Sequence, residues 1–464
     1  MLPRMRSTGP QLLTAVVAAC AVIAGLNAPL VDDSMFWWVP KALLVAEHGP
    51  AWVLAGDLPA AARPDAPLPP QWSGGLPDYA HPPLWYWYLG GWLWALMRWL
   101  PVHVVVHLAA IPVAIGFGWG VASLLRRLGG RAAAWAAPAV VLLPPAVAQL
   151  QRADTDLPLM ALSVWALIAI LDRRDWLFAA VTALAVACKE PGILLTAPLG
   201  VAMLLDRRWS WAWVAAPATL LAWAGIHYLE AGWALAGAER LPETAGQWLR
   251  DVGSVAWLMA GDQGRWVLIP MAAYGLWKAA PRRRALLITL AHALTHLAFY
   301  GTLNFLGGID RVDAYTHIRY LLPGTVAFAC LWVAPLPRVA GPALAVLCFV
   351  FLHRPSPRGP EASLYGIDNA RALREAAPVL DALEGPVNVG SYAWTAYTRP
   401  FIGVVEAPRD AWGMYAFGTA PEEVEGFVVK AAVGEPLGRL QELKLEAVER
   451  VEVHRAEVVI LRAE

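Results

Sequence analysis

The sequence predicts an all-α polytopic membrane bundle of about 11 transmembrane helices. Interfacial helices are expected in its first outer loop, and a small extracytoplasmic α/β domain at its C-terminus. Three observations carry this reading. The chain of 464 residues is 58% hydrophobic and only 16% charged, where an ordinary soluble domain carries about 25% charge. Apolar runs recur from residue 11 to residue 353, several approaching the roughly 20 residues that a helix needs to cross a bilayer core. Arginines gather in short clusters between those runs, as they do in cytoplasmic loops. Net charge is zero, so no basic field points to nucleic acid.

The basic start "MLPRMR" resembles a secretory signal, but the apolar run 11–30 is long enough to span and no small-x-small cleavage site follows. The remaining candidate spans are 103–124, 132–150, 157–171, 176–188, 192–205, 210–228, 266–280, 286–306, 319–334 and 339–353. The basic clusters are Arg4/Arg6, Arg126/Arg127/Arg131, Arg173/Arg174, Arg207/Arg208 and Arg282/Arg283/Arg284. From Arg131 onward, two spans separate each cluster from the next, so all clusters can share the cytoplasmic face with the N-terminus.

The first outer loop, 31–102, is expected to hold an amphipathic helix at about 34–48. Its Pro-rich stretch 59–83 should be irregular, because proline removes donors and fixes φ. The segment 81–100, "HPPLWYWYLGGWLWALMRWL", is apolar enough to cross. A full crossing would move Arg126, Arg127 and Arg131 outside, and its many Trp and Tyr side chains favour headgroup depth. It is read as interfacial or re-entrant, with a true crossing as the alternative. After 353 comes the linker "HRPSPRGPEASLYG", then an amphipathic helix at 366–384. The stretches "VNVGSY", "GFVVK" and "VERVEVHRAEVVILRA" read as β-structure by alternation and branching. The chain thus divides into 1–353, in the membrane, and 354–464, outside it. Cys20, Cys188, Cys330 and Cys348 lie in apolar runs without metal or disulfide spacing.

With this topology the charges that are hard to explain as anchors fall on the outer face. Asp32 and Asp33 end the first span, in "VDDSMFWW". His81 precedes two prolines. Arg152, Asp154 and Asp156 join spans three and four, and Lys189 and Glu190 cap a short hairpin. Arg311, Asp313, Tyr315, His317, Arg319 and Tyr320 lead into the tenth span. Ionisable groups at membrane level are costly to desolvate and are functional candidates by default. A carboxylate can take a proton from a hydroxyl. Arginine, lysine and histidine can neutralise a phosphate leaving group. Aromatics suit a sugar face and a lipid tail. Together they describe sugar transfer from a lipid-linked phosphate to a hydroxyl.

Plainer readings stand beside this one. Asp33 and Asp156 can be helix-terminal caps, Lys189 a snorkelling anchor, Arg319 a helix-end anchor and His81 a loop residue before prolines. His292 and His296, at i and i+4, have metal-type spacing without an evident third ligand, so polar helix packing is the reading.

In order along the chain, Asp32-Asp33, "HPPLWYW" (81–87), "DLPL" (156–159), "KEPG" (189–192) and "RYLLP" (319–323) resemble the motifs of GT-C type integral-membrane glycosyltransferases. The branch is that of the protein O-mannosyltransferases and the aminoarabinose transferase of lipid A, and the likeness covers most of 11–353. That family more often has Asp-Glu followed by tyrosines, so the catalytic carboxylate is left open between Asp32 and Asp33. The resemblance implies a polyprenyl-phosphate sugar donor and inverting transfer. By motif position Asp32 would be general base and Asp33 the second acid. His81 would contact donor or phosphate, Arg319 would neutralise lipid phosphate with Lys189, and Asp154 and Asp156 would orient the acceptor or support Arg152.

The acceptor is left open between lipid, glycan and protein. No cofactor is spelled out, although paired acids leave a divalent metal ion open. The Ala-, Arg-, Pro- and Trp-rich usage fits a bacterial inner (plasma) membrane. A transporter or flippase of a lipid-linked substrate is the competing class. It would place ionisable groups at the bilayer midplane in repeated halves, and no repeat is visible here. A membrane scaffold with a partner-binding outer domain is the third.

Overall fold

The computed structural model describes residues 8–31, 38–50, 81–231, 244–261, 270, 282–302, 320–335, 340–352 and 364–463, with short breaks in the last stretch. Most of the predicted span 266–280 lies outside these residues. The chain is mostly helical, with one small sheet near its C-terminus.

Helix α1 (Gly9–Ala24) stops earlier than the apolar run that encodes it. Gly25 follows it, and a Cβ there would lie 2.9 Å from Gln151 Cγ. The Gln151 amide uses that closeness to donate to the Ala21 carbonyl at 3.1 Å. Helix α2 (Val39–His48) packs on α3 (Leu84–Leu96). Gly90 lets the two backbones approach, since a Cβ would meet Val45 Cγ1 at 2.5 Å. Helix α4 (Val102–Gly129) is a 28-residue rod.

The predicted span 132–150 is not one helix. It is broken into α5 (Arg131–Ala134), α6 (Ala137–Val141) and α7 (Pro144–Arg152). Pro138, Pro144 and Pro145 sit in the first turns of the new pieces. A missing N–H costs nothing in a first turn, but it interrupts a helix that tries to run through.

Helices α8 (Asp156–Leu171) and α9 (Asp175–Cys188) follow, then a 3₁₀ segment Glu190–Leu195, α10 (Thr196–Asp206), a 3₁₀ turn Trp211–Val214 and α11 (Ala215–Ala231). An unanticipated amphipathic helix, α12 (Ala245–Ala256), is opened by the Thr244 hydroxyl accepting from the Gln247 amide. The described bundle closes with α13 (Arg283–Thr302), α14 (Leu322–Val333) and α15 (Ala340–Leu352). Among the described residues, Val102–Gly129, Trp211–Leu229 and Arg283–Thr302 are long and apolar enough to cross a membrane, and the chain is a membrane protein. Gly9–Ala24, Asp156–Leu171, Asp175–Cys188 and Leu322–Val333 are shorter apolar helices.

Ion pairs bring members of four of the five predicted basic clusters to one end of the bundle, while Arg4 and Arg6 lie outside the described residues. Arg127 grips Asp172 with Nε and Nη2, Arg284 grips Asp206 in the same two-pronged way, Arg173 also reaches Asp206, and Arg208 reaches Asp175. Helix α4 ends there, so it starts at the opposite end. His81 and the start of α3 also belong to that opposite end, as their contacts below show. Both ends of α3 therefore lie on one side. Its 13 residues span only about 20 Å, less than the roughly 30 Å of a bilayer's apolar core.

The C-terminal α/β unit comprises α16 (Tyr365–Asp381) and strands β1 (Val387–Gly390), β2 (Gly413–Tyr415), β3 (Phe427–Ala431), β4 (Leu445–Val453) and β5 (Ala456–Ala463). The sheet order is β2-β1-β3-β5-β4. Strand β1 is parallel to β2 and β3, while β5 runs antiparallel to β3 and β4. Helix α16 buries Ala372, Leu373, Ala376 and Leu380 together with Val387, Val389 and Ile460 of the sheet.

Candidate functional site

The end of the bundle opposite the arginine clusters gathers chain segments that lie far apart in sequence. Helix α7 ends with Ala153 in the left-handed region (φ +56). This turn reverses the chain so that Arg152, Asp154, Thr155 and Asp156 all point inward, and all are buried. The turn is held from two sides. The fully buried Trp85 indole donates to the Ala153 carbonyl at 3.2 Å. The buried His107 ring has Nε2 2.7 Å from the Gln151 carbonyl oxygen and Nδ1 2.6 Å from that of His103.

Asp156 begins α8 and Lys189 follows the last turn of α9. The Lys189 ammonium donates to Asp156 Oδ1 at 2.6 Å, with the side chains 2% and 1% exposed. A lone charge at such depth would be prohibitive, so each group makes the other tolerable. Lys189 thus turns inward instead of snorkelling, and Asp156 does more than open a helix. The same ammonium lies 4.1 Å from the centroid of the Tyr320 ring, a cation–π contact strengthened by desolvation. Tyr320 stacks on Tyr300 of α13, with centroids 6.0 Å apart and planes 13° apart.

Beside this pair, His81 Nδ1 lies 2.6 Å from Glu190 Oε2. Burial raises the Glu190 carboxyl, but the facing imidazole, its hydrogen bond and the adjacent Lys189 outweigh that and hold it below the usual carboxylate range. Trp38 covers His81, with ring centroids 5.1 Å apart, and leans on Tyr86 at 5.9 Å. Lys41 places its ammonium 5.7 Å from the Tyr86 ring centroid. The result is a charged cluster walled by aromatic rings, in which a water-poor setting strengthens each electrostatic contact.

The structure therefore brings together His81, Asp156, Lys189, Glu190 and Tyr320, and buries Arg152 and Asp154 on the same turn as Asp156. Asp32, Asp33, His317 and Arg319 lie outside the described residues. The His81–Glu190 partnership, the Trp85 strut, the Tyr300 platform and the His107 wedge were not foreseen. His292 and His296 sit deep in α13 with rings 4.5 Å apart, and His296 Nδ1 meets the His292 carbonyl at 3.1 Å. Among the described residues no three His, Cys, Asp or Glu side chains come together to hold a metal ion.

No protein-family model matches the chain, and no curated protein matches it by sequence. Solved structures do. ArnT from Cupriavidus metallidurans in the apo state superposes with a TM-score of 0.54 at 15% identity, covering 97% of each chain. The same protein bound to undecaprenyl phosphate gives a TM-score of 0.51 at 16% identity, covering 98% of each chain. The full-length overlap establishes the fold as the GT-C type.

Proposed function

We propose that this chain is a glycosyltransferase that moves a sugar from a polyprenyl-phosphate donor to a hydroxyl acceptor at the non-cytoplasmic face of a bacterial inner membrane. The observation that carries the reading is the buried Asp156–Lys189 pair under Tyr320, set beside His81–Glu190 at the end of the bundle opposite the arginine clusters. Support comes from the GT-C fold, and from a similar structure that holds undecaprenyl phosphate. By the positive-inside rule the arginine end faces the cytoplasm with the N-terminus, so the site and the C-terminal α/β unit face outward.

In the proposed reaction the acceptor oxygen attacks the anomeric carbon on the face opposite the lipid phosphate. The bond from that carbon to the phosphate oxygen breaks, and the phosphate leaves with the bonding pair. The hydroxyl proton passes to Asp32 or Asp33. Lys189, steadied by Asp156, supports the charge developing on the phosphate together with Arg319 and His317. Glu190 keeps His81 oriented towards the same group, and Asp154 with Arg152 shapes the acceptor side. The sugar can be a hexose or a pentose, and the acceptor a lipid, a glycan or a protein. A divalent ion, if one takes part, belongs at the Asp32-Asp33 pair; activity after chelation and re-addition of Mg²⁺ or Mn²⁺ decides this.

The test is a panel of labelled polyprenyl-phosphate sugars incubated with membranes containing the chain. Transfer of label to an acceptor, lost by at least about 100-fold in Asp32→Asn or Asp33→Asn at equal folded yield, is the expected result. Full activity in both variants overturns the carboxylate mechanism. Label that crosses vesicles without reaching any acceptor marks the chain as a flippase.

A further inference from the structure

Among the described residues, the C-terminal α/β unit meets the membrane bundle at residues 27–31 and at His103. Helix α1 ends at Ala24, and helix-like backbone bonds continue only as far as the Ala28 amide on the Gly25 carbonyl. Beyond that, the Leu30 amide donates to the Ile402 carbonyl at 2.9 Å. The Arg374 guanidinium of α16 donates through Nη1 to the Asn27 carbonyl and through Nε to the Gly403 carbonyl, each at 2.7 Å. Ala28 and Val31 are buried against Ile367 and Ala370 of the same helix. Residues 27–31 are thus pinned to the C-terminal unit, and the next two residues in the chain are Asp32 and Asp33.

The second contact is Gly403 itself. Its φ of +86 suits glycine, and a Cβ there would lie 2.5 Å from His103 Nδ1. The His103 carbonyl meets His107, and His107 meets the Gln151 carbonyl one residue before Arg152. One arginine and one glycine of the C-terminal unit therefore stand behind both the segment that leads into the acid pair and the turn that bears Arg152, Asp154 and Asp156.

We propose that the C-terminal α/β unit is a positioning element for sugar transfer, with Arg374 and the Ile402–Gly403 peptide as its working contacts. This rests on the glycosyltransferase reading above. It assigns the unit a role in the reaction itself, distinct from recognition of an acceptor or a partner. Arg374 suits the task because a planar guanidinium can serve two carbonyls in fixed directions, which an ammonium does less well. The effect on rate follows from geometry, since a shift of about 1 Å at a reacting group can cost about 100-fold.

The test compares full-length wild type, Arg374→Ala, Arg374→Lys and a control, Arg450→Ala, which removes an exposed cation paired with Glu457 on the sheet edge. Hydrogen exchange of the peptide covering 25–31 is read alongside transfer kinetics with the donor that the labelled panel identifies. Arg374→Ala should speed exchange of the Leu30 amide and lower kcat about 100-fold, with KM for the donor within about threefold of wild type. Arg374→Lys should recover about a tenth or more of the lost rate, and Arg450→Ala should match wild type in both. Unchanged exchange in Arg374→Ala overturns the brace whatever the activity. Wild-type kcat despite faster exchange, or a loss that only tracks the folded fraction with no rescue by lysine, overturns the positioning role. A wild-type chain that protects Leu30 yet transfers no sugar overturns the glycosyltransferase reading, and the catalytic role of the brace with it.

Discussion

The two ends of the bundle use the same chemistry, carboxylate against cation, in opposite settings. At the arginine end the cations stay partly in water: Arg127, Arg173, Arg208 and Arg284 are 30%, 57%, 46% and 29% exposed. At the site end Lys189 and Asp156 are sealed almost completely from solvent. Surface pairs contribute little to stability, because water already serves both charges. A sealed pair is different. Its Coulomb attraction offsets a large desolvation cost, so either partner left alone is a liability. A chain gains nothing in stability from such an arrangement over packed apolar side chains, which points to use of the charges themselves.

The sharpest way to break this comparison is to remove one sealed partner. Lys189→Met should destabilise the protein by about 3–5 kcal/mol, seen as a drop in the unfolding midpoint in detergent, and should abolish transfer. Combining it with Asp156→Asn should return most of that stability and none of the activity. A double variant no more stable than Lys189→Met would mean that the pair is not the coupled unit seen here. The half-buried His81–Glu190 pair should give an intermediate effect. Glu190→Gln weakens one charge-assisted hydrogen bond, costs about 1–3 kcal/mol by the same measurement, and lowers kcat/KM at least about tenfold.

At the wet end, Arg284→Ala should cost about 1 kcal/mol or less and leave transfer within about twofold of wild type, and Arg127→Ala less still. A larger loss there would make the contrast one of architecture and not of burial.

Acid should act on both ends in the same direction. Arg127 holds the Asp172 carboxyl below its usual range, and Glu190 is held low against its own burial. A carboxyl with a lower folded than unfolded value contributes fully above the ordinary carboxyl range, near about pH 4. That contribution fades as pH falls through the depressed values. The unfolding midpoint should therefore be flat from neutrality to about pH 5 and decline below it. In Arg127→Ala the share due to Asp172 should be missing from that decline.

The helices were legible wherever an apolar run stood between arginine clusters, since composition and sidedness are both written locally. The one long run that misled was 132–150, where apolarity outvoted three prolines that do break the helix. The inward turn at Asp154 and Asp156, and the Lys189 hairpin, could be picked out as charges without an anchoring role. Their pairing could not be, because 33 residues separate Asp156 from Lys189 and 109 separate His81 from Glu190. Nor does periodicity reveal that Trp85 supports a carbonyl of α7 or that Tyr300 underlies Tyr320. Those contacts depend on how helices cross, which a single sequence records only through small residues such as Gly90. In the C-terminal unit, alternation exposed four of the five strands. Strand β2, three residues long, carries too little pattern to be seen.

Three of the helices that bear the site are short. Asp156 opens a helix of 16 residues, Lys189 follows one of 14, and Tyr320 precedes one of 12. They rise about 24, 21 and 18 Å, against an apolar slab of about 30 Å. Beside them stands the 28-residue α4, tall enough to clear both leaflets. Asp156 and the five residues after it are all buried, so the helix that it opens is walled by its neighbours. The charged pair at these helix ends is sheltered by protein, with Lys189 2% and Asp156 1% exposed, so a group that engages it must enter between helices.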